Sequence, residues 1–324
     1  MPAINPMQAL YSRLSGCGIN RKFAKRLLPE WWDDSIAENP SGLLQAQIII
    51  AHSLNLDLNS LRDPGSVVQF RSAQRKFKHS KAVDKVSIQL SAEYATGMAK
   101  LAVQAMETPF SAPPRDAIAI RNTILKARPQ VDLEGLLAYC SAAGIAVLHI
   151  GELPGKKMDA VAVKQAGRAA IVLSRKAKSS YLLFHLAHEI GHIAMGHLGD
   201  TDGTLIDAAI VADGDADERE ADKFAIQLLN GSEVKYTSKN RFMTGAELAA
   251  AAVRLGAQQH IDAGHIVLNY GHVAGNFPLA NAAMGYLPGN QSGPQLVNSH
   301  LRTSLNWQDL SEDQAALLDR ALTP

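Results

Sequence analysis

Residues 184–197 read FHLAHEIGHIAMGH and set four histidines and one glutamate among mostly apolar neighbours. Buried polar side chains without partners cost free energy, so this stretch must satisfy them in some way. His188-Glu189-Ile190-Gly191-His192 fits the pattern H-E-x-x-H. On a helix, residues four apart lie on one face, one turn above the other. His188 and His192 can therefore offer two imidazole nitrogens to a single Zn²⁺ at about 2.0–2.1 Å. Glu189 projects beside them, where it can take a proton from water rather than bind the metal.

A catalytic zinc site needs a third protein ligand and keeps a fourth position open. A third histidine six residues beyond His192 is ruled out, because position 198 is Leu198. The acidic run Glu218-Arg219-Glu220-Ala221-Asp222 supplies the alternative. Glu218 and Asp222 share a helix face: Glu218 is the expected ligand, and Asp222 the expected acceptor of a ligand histidine's other ring N–H. Glu220 lies about 200° away on an ideal helix and is the rival, weaker ligand. One Zn²⁺ per chain suits this set, and manganese or iron would also fit. A calcium loop starting at Asp213 fails, since its sixth position is Glu218 instead of Gly and its twelfth is Phe224 instead of Glu. His185 and His197 are left over, and His185 reads first as a hydrogen-bonded core histidine. His185, His197 and Tyr181 are candidates for contacting substrate or a developing oxyanion, as are His265 and Tyr270.

These residues need elements to hold them. The apolar pattern gives a helix over 179–195, ended near Gly196, and a second amphipathic helix through DEREADKFAIQLL, stopped by Asn230-Gly231. GIAVLHI (144–150) reads as a strand, and DAVAVKQ (159–165) with RAAIVLS (168–174) as a hairpin turning at Ala166-Gly167. DAVAVKQ is the strand expected to pair with an extended substrate. Helices are also expected over 116–128 and 132–143, in most of residues 1–107, with Ser41 as one N-cap, and in several pieces beyond 231. TPFSAPPRD (108–116) is linker-like and marks a boundary. GLLQAQIIIAHSLNLDLNSL and GAELAAAAVRLG have some look of helix-turn-helix pieces but lack a clear recognition helix, so ordinary helical packing is the expectation.

With 324 residues, 47 % apolar and 19 % charged, the composition is that of an ordinary folded protein. Two cysteines cannot build a disulfide framework, the first residues do not read as a signal peptide, and no apolar run is long enough to span a bilayer. A cytoplasmic location is expected. The net charge is +1, but residues 181–230 carry ten acidic and two basic groups, which suits a localised cation site better than a nucleic-acid surface. The basic run at 71–85 reads as a solvated helix face.

HEIGH followed by EREADKFAIQLL, with the strand, hairpin and helix before them in that order, resembles the ImmA/IrrE family of metallopeptidases over roughly residues 116–231. The resemblance implies an α+β, mainly helical chain. Its small zincin-like core (short antiparallel sheet plus active-site helices, 109–231) would lie between helical regions at 1–108 and 232–324. It further implies zinc on His188, His192 and Glu218, with Glu189 as general base. The partner it implies is a cytoplasmic protein substrate, a helix-turn-helix transcriptional repressor, cleaved in a regulatory, stress-response or mobile-element switch. The competing reading is a non-catalytic metal-binding module that sequesters a repressor.

Overall fold

A computed structural model describes residues 5–71, 75–77, 82–156, 158–175, 178–199, 203–207, 216–238, 242–287 and 292–323; for 75–77, 82–87 and 203–207 only the backbone is described. The acidic positions Asp213 and Asp215 and positions 72–74 and 78–81 of the basic run lie outside these residues; within that run Arg75–Phe77 is a strand and not the expected helix face.

The chain is α+β and mainly helical. It begins with α1 (Pro6–Gly16), α2 (Arg21–Leu27), α3 (Pro40–Ser53), α4 (Leu58–Arg62), the strand β1 (Arg75–Phe77) and the long α5 (Ala82–Ala105). Next come α6 (Ala117–Leu125), α7 (Leu133–Ala142), the strands β2 (Ala146–His149), β3 (Ala160–Gln165) and β4 (Arg168–Leu173), then α8 (Ser179–Met195). A fifth strand, β5 (Gly203–Asp207), precedes α9 (Ala216–Asn230), and α10 (Gly245–Gln259), α11 (Ala263–Ala274), α12 (Phe277–Met284), α13 (Gly293–Thr303) and α14 (Glu312–Ala321) complete the described elements. None of these helices is long and apolar enough to cross a membrane. The helix α3 starts two residues earlier than a Ser41 N-cap would place it, at Pro40 after Asn39, because proline fits the first helical turn. With only five residues, α4 is too short to serve as a recognition helix.

The strands form one sheet in the order β1-β5-β3-β4-β2. β3 runs antiparallel to both β4 and β5, whereas β2 with β4 and β1 with β5 are parallel pairs, so the sheet is mixed. The hairpin turns as expected at Ala166 and Gly167, both at positive φ, which matches the twist of the flanking strands. Substrate pairing along DAVAVKQ is corrected: β4 hydrogen-bonds one edge of β3 and β5 the other, so β3 has no free edge.

Both faces of the sheet are covered, which explains why β2 to β4 read as nearly unbroken apolar runs. Leu148, Val161, Val163 and Val172 face a core built with the N-terminal helices, α5 and the last two helices. Val147, Ala160, Ala162, Ile171 and Leu173 face the other way, onto α6, α7, α8 and α9. A third cluster joins α10, α11 and α12. At the outer edge of β2, Asn298 takes the place of a strand, its Oδ1 accepting from the His149 backbone N–H and its Nδ2 donating to the His149 carbonyl.

Two polar groups tie the helices around α8 and α9. Arg121 on α6 is buried and donates through Nη1 to the carbonyl of Leu229 at 2.6 Å and through Nη2 to those of Gln259 and His260 at 2.8 and 3.0 Å. One guanidinium thus satisfies the open carbonyls at the C-terminal ends of both α9 and α10, where a cation is also favoured by the helix dipole. His265 on α11 stacks on Phe184 of α8, ring centroids 6.3 Å apart. Burial without a partner at Nε2 pulls its pKa down to about 4.

Two outcomes follow. Arg121→Met should lower stability in urea by about 3 kcal/mol, since hydrogen bonds from a buried cation are worth about 1.5–3 kcal/mol each, and Arg121→Lys should recover only part of this, lacking the fork. The folded-state pKa of His265 lies below its unfolded value of 6.5, so neutral His265 supports the fold above pH 6.5. That support, at most about 3 kcal/mol, is lost as pH falls from 6.5 towards 4. The urea midpoint should therefore depend less on pH over this window in His265→Phe than in the unaltered protein.

Candidate metal centre

The helix α8 is buried on nearly every side, which explains the apolar residues between its histidines. It ends at Gly196, whose φ of +81° is the left-handed conformation glycine adopts without strain. On α8, His188, Glu189 and His192 are each 1 % exposed or less. The helix α9 crosses close by, because Gly191 has no side chain. A Cβ there would stand 3.2 Å from the Cα and carbonyl oxygen of Ala221 and from the Phe224 ring. This contact is what lets a carboxylate on α9 reach the imidazoles on α8.

His188, His192 and Glu218 converge. The two Nε2 atoms lie 2.9 Å apart, Glu218 Oε2 is 3.3 Å from His188 Nε2, and Glu218 Oε1 is 3.6 Å from His192 Nε2. Three atoms held tetrahedrally by one Zn²⁺ at ordinary bond lengths would be about 3.3 Å apart. The triangle brackets that value, and two nitrogens with a carboxylate are a donor set that zinc accepts. The residues present fit a divalent metal ion.

The second ring nitrogens are also engaged. His188 Nδ1 donates to Asp222 Oδ1 at 2.9 Å, as the shared face of Glu218 and Asp222 leads one to expect. Burial works against a charged His188, but the carboxylates of Asp222 and Glu218 outweigh it and raise its pKa to about 10 in the absence of metal. Burial instead holds His192 below its usual value, against the pull of Glu218. His192 Nδ1 lies 2.9 Å from His197 Nδ1, and His197 Nε2 lies 3.0 Å from Glu220 Oε2.

The structure therefore spends several candidates elsewhere. His197 has both ring nitrogens occupied, which leaves no N–H for an oxyanion. Glu220 faces His197 and not the metal donors. Tyr181 donates to Asn281 Oδ1 at 2.7 Å, on the C-terminal side of the molecule. His185 is 7 % exposed beside Phe184, and burial pulls its pKa to about 4. His265 stacks on Phe184, whose ring also neighbours His188 with centroids 6.3 Å apart, and Tyr270 lies in the third core cluster. Spacing alone did not single out Gly191 or the His197–Glu220 contact, because both depend on where two helices cross.

Replacing Gly191 with Val should push α9 away. The expected result is a loss of metal affinity of at least tenfold in a chelator competition, well beyond the accompanying loss of stability, since a shift of a few tenths of an ångström spoils ligand geometry before it unpacks a core.

Residues 140–259 match the family model described as the IrrE N-terminal-like domain, a peptidase family. No curated protein and no solved structure matches the chain. The match spans the sheet strands β2 to β4, the HEIGH helix and the acidic helix that brings Glu218 to it. Over residues 140–259, a little over a third of its length, the chain is similar to the IrrE N-terminal-like domain of this peptidase family.

Proposed function

We propose that the chain is a zinc-dependent endopeptidase whose ligands are His188, His192 and Glu218 and whose general base is Glu189. The observation that carries this reading is the triangle of two Nε2 atoms and one carboxylate, with edges of 2.9, 3.3 and 3.6 Å, next to a buried glutamate. Structural zinc sites close with four protein ligands, and among the described residues three groups converge here, which favours a site with room for substrate chemistry.

A divalent ion held by these donors supplies Lewis acidity, which polarises a scissile carbonyl and lets water attack near neutral pH. The protein's own groups do the rest. Glu189 accepts the proton of the attacking water and delivers it to the leaving amine. Asp222 fixes the tautomer of His188, so that its Nε2 keeps a lone pair. The carboxylates of α9 add negative potential that favours a cation between the helices.

The substrate in this reading is a cytoplasmic protein, a transcriptional repressor of helix-turn-helix type, and cleavage serves a regulatory or stress-response switch. Support for that part comes from the family alone. Wild-type protein and Glu189→Gln should be expressed in the host and new protein N-termini compared, after both are shown to be folded and metal-loaded. Fragments found only with wild type are the expected result, with a repressor among them. Identical fragment sets would overturn the peptidase reading and favour a metal-binding module that holds its partner without cutting it.

A further inference from the structure

Two histidines at the metal centre are held in different ways. His188 Nδ1 meets a carboxylate directly, at Asp222. His192 Nδ1 meets another imidazole, which alone cannot decide where the protons sit: two facing Nδ1 atoms 2.9 Å apart need one N–H and one lone pair between them. The group that decides is Glu220. Its carboxylate accepts only, so a neutral His197 carries its proton at Nε2 and presents a lone pair at Nδ1. His192 then carries its proton at Nδ1, and its Nε2 lone pair points at His188 Nε2 and Glu218. Were His197 to flip to the other tautomer, it would offer an N–H to His192 Nδ1, drive the His192 proton to Nε2 and block the ligand atom.

The backbone builds this contact. Gly196 reverses the chain at the end of α8, and the His197 backbone N–H donates to the His192 carbonyl at 3.0 Å. The His197 ring comes back against His192, centroids 5.0 Å apart, with its side chain only 7 % exposed. On α9, Asp217 and Glu220 lie three residues apart and both face His197, Asp217 Oδ1 at 3.9 Å from its Nε2. Glu218 and Asp222 occupy the neighbouring face, which meets His188 and, through Glu218, also His192.

We infer that His197 and Glu220 act in series as positioning residues, holding His192 in the tautomer and orientation in which Nε2 binds a divalent transition-metal ion. This rests on the metal-centre reading above and adds the route by which His192 is prepared for the ion.

The test uses the full chain and two probes, Zn²⁺ affinity by chelator competition and the visible absorption of bound Co²⁺. His197→Phe should weaken Zn²⁺ by ~10–100-fold and alter the Co²⁺ spectrum, the usual range for losing a residue behind a ligand. Glu220→Ala should weaken it less. Because the two act in series, the double variant should be no worse than His197→Phe, whereas His197→Phe with Asp222→Ala should multiply their losses, each acting on a different ligand. His197→Gln, whose amide oxygen can accept from His192 Nδ1, should recover most of the affinity. A purely structural role would show as a lowered melting point of the metal-free variants, with no rescue and additive losses, and would overturn the inference. So would wild-type binding with unchanged affinity and spectrum in the variants. Failure of the wild type to bind either ion would overturn the metal-centre reading as well, a distinct result.

Discussion

The metal centre depends on how closely two helices can approach. His188 and His192 sit on α8 and Glu218 on α9, and nothing in the chain's connectivity brings their donor atoms within 3.6 Å. The crossing at Gly191 and Ala221 does, where backbone packs on backbone and side chains larger than a methyl group would hold the helices apart. Phe224, Ala225 and Leu228 of α9 share one buried core with Leu186 and Ile190 of α8, which turns the acidic residues of α9 away from that core. Apolar packing is thus the force that assembles a polar site, and it offsets the cost of burying imidazoles that have carboxylates to meet.

The acidic residues of α9 have separate tasks. Glu218 and Asp222 reach the two nitrogens of His188, while Glu220 and Asp217 reach His197. This division follows from helical geometry, since residues four apart share a face and residues two apart do not. It also leaves the two ligand histidines with unequal environments. His188 is drawn strongly towards the protonated form by the carboxylates, and His192 is held away from it by burial.

Much of this was legible in the sequence. Apolar spacing with a terminal glycine gave α8 over Ser179–Met195, the expected bounds, and strand-length apolar runs gave β2, β3 and β4. The gathering of Glu218 with the two histidines could be read from the E-x-x-x-D spacing together with the need for a third ligand. β1 and β5 could not be read. Arg75–Phe77 is basic, and Gly203–Asp207 is a short stretch with a charged end; each becomes a strand by pairing with a neighbour distant in sequence, which no local pattern records. The blocked edge of β3 was illegible for the same reason. Glu220 was passed over as a weak ligand because its face was known and what that face would meet was not. That partner depends on how Gly196 turns the chain.

Arg121 bears on what counts as one folding unit. The family match begins at residue 140, downstream of this arginine, and stops at Gln259, one of the residues whose carbonyl it binds. Ile120, Ile124, Val131, Leu133 and Leu136, which fill the core beneath α8, also precede the matched stretch. A fragment trimmed to 140–259 would keep the metal donors yet lose both the guanidinium that ties off α9 and α10 and much of the apolar bed on which α8 lies. The boundary of kinship and the boundary of self-sufficiency fall in different places along this chain, and a minimal version of the protein must be cut by the second.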